Sequence, residues 1–303
     1  TTLKQKIEAH RPRTTKLTKE LGKIVIDSVT IDQCIGGARD IRSLVTDISS
    51  LDPQEGIRFR EKTIPETFAA LRKEKGSKYP TVESFWYFLL TGDVPTQAQV
   101  DEVVAEWKKR QVVPSYVWDS IRALPRDSHP MVMLSVGILA LQKDSKFAAS
   151  YNSGKFNKNT AWESVYEDAT DLVARIPIIA AFIYNLKYKS DFQVPVDPKL
   201  DMGANFAHMI GKPAPYDDVA RMYFILHSDH ESGNVSAHTA HLVASALSDA
   251  YYSYSAGING LAGPLHGLAN QEVLRWIVHV KEQLGGGVPT KEQLVKFLWD
   301  TLN

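Results

Sequence analysis

Imidazole groups concentrate in one stretch of the chain. Five of the nine histidines, His227, His230, His238, His241 and His266, fall between positions 227 and 266. The run His227-Ser228-Asp229-His230-Glu231 mixes imidazole with carboxylate, and both ligate zinc. Its spacing is not His-Glu-x-x-His, and no cysteine stands nearby to complete a set. His238 and His241 are three residues apart, so on a helix they occupy adjoining faces. Such a pair can share a metal, but its commoner use is packing against hydrogen-bond partners, and no metal is expected.

Between these histidines, Ser232-Gly233-Asn234-Val235-Ser236 breaks the chain with small and polar residues. A helix is expected over 237–247, with Ser236 as its N-cap. Free backbone donors at such a break can meet a carboxylate, and His230 just before it can add a charged or hydrogen-bonding contact. A purely structural histidine is the other reading of that position. The stretch Gly257-Ile258-Asn259-Gly260-Leu261-Ala262-Gly263-Pro264-Leu265-His266-Gly267 is the most informative. Its glycines permit close backbone approach. Pro264 suits the first turn of a helix, which puts His266 near the third helical position. The positive end of the helix dipole there works against an imidazolium and favours a neutral ring that donates to a carbonyl. A donor so placed stabilises charge as an enolate forms. The alternative is a tight helix–helix crossing in which His266 only caps a carbonyl.

The patterning points to a mainly α scaffold for these residues. Leu3, Ile7, Leu17 and Leu21 lie among charges and suggest a polar N-terminal helix with one apolar stripe, interrupted near Pro12. Ile24-Val25-Ile26 and Val29-Thr30-Ile31 are β-branched runs, with Gly36-Gly37 and Asp52-Pro53 as breakers, so short strands and turns are expected over 23–60. From 64 onward the chain reads as helical, including an apolar segment over 85–90 closed by Gly92. Thr96 with Gln99, and Thr290 with Gln293, have the spacing of reciprocal helix caps. The segments 131–141 and 172–183 are apolar nearly all round, which marks central buried helices, the second kinked at Pro177.

Composition narrows the function classes. With 303 residues, 44% of them hydrophobic, the chain can bury a substantial core. Lys plus Arg and Asp plus Glu are equal at 35, so no global charge draws it towards nucleic acid or an anionic membrane. The longest stretch free of charged residues, 250–271, holds His266, two asparagines and several glycines and is a poor membrane span. No targeting segment can be read at the N-terminus. The single cysteine, Cys34, forms no intramolecular disulfide, which fits a reducing compartment.

The motifs His227-Ser228-Asp229-His230-Glu231, Asn234-Val235-Ser236-Ala237-His238-Thr239 and Asn259-Gly260-Leu261-Ala262-Gly263-Pro264-Leu265-His266-Gly267-Leu268-Ala269-Asn270-Gln271-Glu272 resemble citrate synthase of the eukaryotic mitochondrial type. Leu51-Asp52-Pro53-Gln54-Glu55-Gly56-Ile57-Arg58-Phe59-Arg60, Leu90-Thr91-Gly92 and His129-Pro130-Met131 fall in the same order, so the resemblance covers nearly the whole chain. It implies a mainly helical, citrate synthase-like homodimer of the mitochondrial matrix that condenses acetyl-CoA with oxaloacetate and water to citrate and coenzyme A. It implies a large helical domain over 1–267 and the start of a small one over 268–303. Neither metal nor resident cofactor is implied, because the coenzyme A thioester is a substrate. By the same resemblance His266 is the catalytic donor to the thioester carbonyl, His230 binds oxaloacetate, Asn234 lies in the same substrate-facing turn, and Ser236 orients His266.

The family's segment Pro-Gly-Tyr-Gly-His-Ala-Val-Leu-Arg, with the second catalytic histidine and coenzyme A contacts, follows the stretch that ends this chain at Asn303. The catalytic aspartate and the carboxylate-binding arginines belong there too, so negligible turnover is expected of these 303 residues by themselves. Two positions depart from the family pattern: Ser232 and Asp40 stand where glycine is usual. Two alternatives share the motifs. One is a methylcitrate synthase using propionyl-CoA, since one methylene shifts selectivity by only about 1–3 kcal/mol. The other is a non-catalytic structural paralogue that keeps the helical dimer.

Overall fold

The computed structural model describes residues 1–37, 41–42, 44–231 and 233–302. Asp40 and Ser232 lie outside the described residues. The described chain is mainly α, with fifteen helices and one small sheet.

Thr1 caps helix α1 (Thr2–Leu21), which runs on past Pro12 instead of stopping there. Proline removes one helical hydrogen bond, but residues 8–10 are exposed, so water can reach the carbonyl left unpaired. The β-branched runs that follow form no strand. Ile24, Val25 and Ile26 are 60%, 82% and 54% exposed, and Ile31 opens a short helix, α2 (Ile31–Ile35), capped reciprocally by Thr30 and Gln33. Strand propensity is realised only against a hydrogen-bonding neighbour, and no described strand lies alongside them.

The sheet forms further along, as an antiparallel meander of β1 (Ser49–Asp52), β2 (Gly56–Phe59) and β3 (Lys62–Thr63). Ser49 opposes Phe59 and Asp52 opposes Gly56. Helix α3 (Ile64–Ala70) leads to α4 (Val82–Thr91), which ends on Gly92 in the left-handed region at φ 79°. Arg60, in the turn from β2 to β3, donates through Nε and Nη2 to the last carbonyls of α4, Leu89 O and Leu90 O, at 2.7 and 3.1 Å. One side chain thereby ties sheet to helix and satisfies acceptors that a helix end leaves open.

Next come α5 (Gln97–Arg110), α6 (Ser115–Arg122), α7 (Pro130–Ala140), α8 (Lys146–Asn152) and α9 (Ala161–Tyr188). Thr96 and Gln99 make the expected reciprocal cap of α5. The two apolar segments are central: Met133 and Ile138 of α7 and Leu172, Ile179 and Phe182 of α9 are all essentially inaccessible and share one core cluster with Val117 and Ile121 of α6. Helix α9 is long and apolar enough to cross a membrane, but 61% of its apolar window is buried inside the molecule, where it forms the axis of the core.

The remaining helices are α10 (Met202–Met209), α11 (Tyr216–Leu226), α12 (Val235–Ser245), α13 (Ala250–Leu261), α14 (Ala269–Gln283) and α15 (Lys291–Leu302). Arg221 fixes α11 against the body: its guanidinium donates to Asp201 Oδ2 at 2.6 Å and to Asp218 Oδ1 at 2.9 Å. Helix α13 is seated by Tyr251, fully buried, and by Ser255, whose Oγ lies 2.7 Å from Ser135 Oγ on α7. Helix α12 has no fully buried residue and is held through α13. Thr290 and Gln293 cap α15 as expected.

Candidate active site

Three of the four candidate residues meet at the first turn of α12. Asn234, not Ser236, is the N-cap: its Oδ1 accepts from Ala237 N at 2.9 Å, and the helix starts at Val235, two residues earlier than expected. Asparagine is at least as good a cap as serine, and with Asn234 in that role the Ser236 hydroxyl is free to point elsewhere. It bonds Asn234 Oδ1 at 2.7 Å and lies 2.9 Å from His266 Nε2.

His266 reaches this point from the turn after α13. The structure corrects its expected placement: Pro264 does not open a helix, and α14 begins only at Ala269. The chain instead folds back on the end of α13, with Gly267 N donating to Leu261 O at 3.0 Å and Leu268 N to Gly263 O at 3.3 Å. A Cβ at position 267 would come within 2.6 Å of Leu261 O, so this turn requires glycine. His266 is therefore in a reverse turn, and the helix-dipole argument does not apply to it. Its Nε2 lies instead 2.9 Å from Ser236 Oγ.

Close packing of α13 on α12 makes that contact possible. A Cβ on Gly257 would lie 3.0 Å from Ser236 O, and one on Gly260 would lie 3.3 Å from Val235 Cγ1. The glycines bring the two backbones together at Ser236, which explains their spacing ahead of His266.

His230 is held separately, in the turn between α11 and α12, where it is exposed. Its two neighbours are tied to β1. Ser49 Oγ donates to Asp229 Oδ2 at 2.5 Å, Glu231 N donates to Ser49 Oγ at 2.8 Å, and Leu51 N donates to Glu231 Oε1 at 2.6 Å. Glu231 adopts φ 54°, a left-handed conformation that its double tie to the strand sustains. Nothing local in the sequence marks Ser49 or Leu51 as partners of this turn, because they are some 180 positions away.

Two other histidines, His227 and His129, pack or cap neighbouring elements. His227 stacks on Tyr223 with ring centroids 4.0 Å apart, and its Nδ1 lies 3.0 Å from Tyr223 O. His129 caps α7 by accepting Met131 N at Nδ1, 3.1 Å away, so its other nitrogen carries the proton and donates to Gln271 Oε1 at 3.2 Å. Among the described residues no three His, Cys, Asp or Glu side chains converge as metal ligands.

Comparison with known proteins bears on this arrangement. The family described as "Citrate synthase, C-terminal domain" matches residues 37–303. The mitochondrial citrate synthase of Daucus carota is 48% identical over 302 residues, covering 99% of this chain and 64% of that protein. That of Saccharomyces cerevisiae is 47% identical over 289 residues, covering 95% of this chain and 60% of that protein. The chain thus spans less than two thirds of the length of these curated relatives. Among solved structures, the citrate synthase of Pyrobaculum aerophilum superposes with a TM-score of 0.70 at 29% identity, covering 88% of this chain and 68% of that one. The citrate synthase of Thermoplasma acidophilum, solved as a ternary complex with carboxymethyl coenzyme A and oxaloacetate, has a TM-score of 0.66 at 22% identity, covering 82% and 60% of the two chains, a likeness of fold.

Proposed function

The chain belongs to the citrate synthase family, and on that premise we propose that it serves the condensation of acetyl-CoA with oxaloacetate and water to give citrate and coenzyme A. The observation that carries this reading is the 2.9 Å contact between Ser236 Oγ and His266 Nε2, which joins two motifs 30 residues apart and leaves Nδ1 of the ring for a substrate. A methyl group beside a thioester is a very weak acid, so its proton leaves only if a base acts while a donor takes up charge growing on the carbonyl oxygen. His266 is that donor. The base in this reading is a carboxylate. The methyl carbon then bonds to the keto carbon of oxaloacetate, whose oxygen is protonated, and water cleaves the thioester to release coenzyme A. His230 and Asn234 contact oxaloacetate, and Ser236 holds the His266 ring.

No resident cofactor is needed, because coenzyme A arrives and leaves with the substrate. The working unit in this reading is a homodimer in the mitochondrial matrix, a location supported by the mitochondrial names of the relatives. The test is coenzyme A release from acetyl-CoA and oxaloacetate by the protein carrying this chain, alone and with His266→Gln. The substitution is expected to lower kcat by about 100-fold or more. Release from propionyl-CoA but not acetyl-CoA would replace the reading with methylcitrate synthesis, and release from neither would leave a scaffold.

A further inference from the structure

The hydrogen bonds at the start of α12 have directions, and those directions can be read one after another. Ala237 N is a donor only, so the Asn234 atom it meets at 2.9 Å is the carboxamide oxygen, and the amide cannot be flipped. That oxygen carries no hydrogen. Ser236 Oγ, 2.7 Å from the same oxygen, is therefore the donor of its contact. Having spent its one proton on Asn234, Ser236 turns only lone pairs towards His266 Nε2 at 2.9 Å, so Nε2 carries the proton of that contact. A neutral ring protonated at Nε2 has a bare lone pair at Nδ1.

We propose that Asn234 is the positioning residue that sets the tautomer of His266, holding it at rest as the Nε2–H form by accepting the hydrogen bond that the Ser236 hydroxyl donates. Asn234 is thus helix cap and tautomer lock in one, through a single oxygen with two donors. The consequence rests on the acetyl-CoA reading. In this state Nδ1 accepts and does not donate, so a thioester carbonyl docked there meets a lone pair. Donation from Nδ1 of the neutral ring begins when the Asn234–Ser236 contact opens: the hydroxyl then turns to Nε2, and the ring proton is carried at Nδ1.

The state of the ring can be measured without substrate. In protein carrying this chain with histidine labelled by nitrogen-15, at mildly alkaline pH, the two ring nitrogens of His266 give separate protonated-type and unprotonated-type resonances, assigned by their loss in His266→Gln. We expect the protonated type at Nε2 and the unprotonated type at Nδ1. Asn234→Asp keeps an oxygen for both donors and should retain that pattern. Asn234→Gly, a tolerated cap without a side chain, should move the resonances towards the opposite pattern, because Ser236 is then free to donate. Thermal melts of both variants check that the fold is intact. A proton found at Nδ1 in the unsubstituted protein overturns the proposal, as does a doubly protonated ring or a folded Asn234→Gly protein with the unsubstituted pattern. None of these readouts needs turnover, so the tautomer assignment and the acetyl-CoA reading can fail independently.

Discussion

Glu61 adopts a backbone conformation that L-residues other than glycine rarely take. With Arg60 at φ 46° and Glu61 at φ 69°, the turn from β2 to β3 places two non-glycine residues in succession in the left-handed region. Arg60 is compensated by its bonds to α4, whereas the Glu61 side chain is exposed and, among the described residues, its carbonyl accepts from Arg58 Nη1 at 3.0 Å. Glu61→Gly should therefore raise stability by about 0.5–1 kcal/mol, read as a higher denaturant midpoint with an unchanged slope. Gly267 is the opposite case. Gly267→Ala forces a methyl against Leu261 O, a backbone atom that cannot swing aside, and should cost about 1–3 kcal/mol on the same measurement. The chemistry at this scale was partly legible in the sequence. Histidine clustering and the glycine run drew attention to the right stretch, but the pairing of His266 with Ser236 came from family resemblance, and spacing alone put His266 on a helix. The turn forms because Gly267 and Leu268 can reach back to carbonyls at the end of α13, a contact that no propensity scale contains.

At the scale of elements, one buried carboxylate connects two helices. Glu83 of α4 accepts from Met202 N, at the start of α10, through Oε1 at 2.8 Å, and its buried Oε2 has no hydrogen-bond partner. Burial, and after it the neighbouring Asp201 charge, pushes the Glu83 carboxyl up from 4.5 to about 7. The folded protein thus holds this proton more tightly than the unfolded chain does. The stability it contributes is fully present below pH 4.5 and is lost as pH rises through about 7. Glu83→Gln should remove this dependence: the difference in unfolding free energy between the two proteins should change by up to about 3 kcal/mol across that window, followed by chemical denaturation at a series of pH values. Elements were legible where local rules suffice. Thr96 with Gln99 capped its helix as read, and the apolar segments supplied core residues, although Val132 and Leu139 of α7 are exposed. The run 24–26 misled because β-branched residues announce a strand without supplying its partner.

For the whole molecule, burial is uneven. Helices α4, α7 and α9 lie in the core, whereas α14 buries only Val280, and α15 buries no residue fully. Leu274, Trp276 and Ile277 of α14 and Trp299 of α15 are 61%, 41%, 51% and 63% exposed. Backbone amides of α14 and α15 should exchange with solvent well before those of α4, α7 and α9, measured by hydrogen exchange resolved by peptide. A change in rate setting in near residue 268 would support separate domains over 1–267 and 268–303, and uniform protection would argue against them. The tie between Ser49 and Asp229 also carries a message about time. It spans 180 positions, and closing so long a loop costs roughly 4–5 kcal/mol of chain entropy. While the protein is being synthesised, Ser49 emerges long before its partner exists. The surroundings of His230 are therefore assembled late, on a fold already in place, and a chain trapped partway would carry the histidine without the frame that aims it.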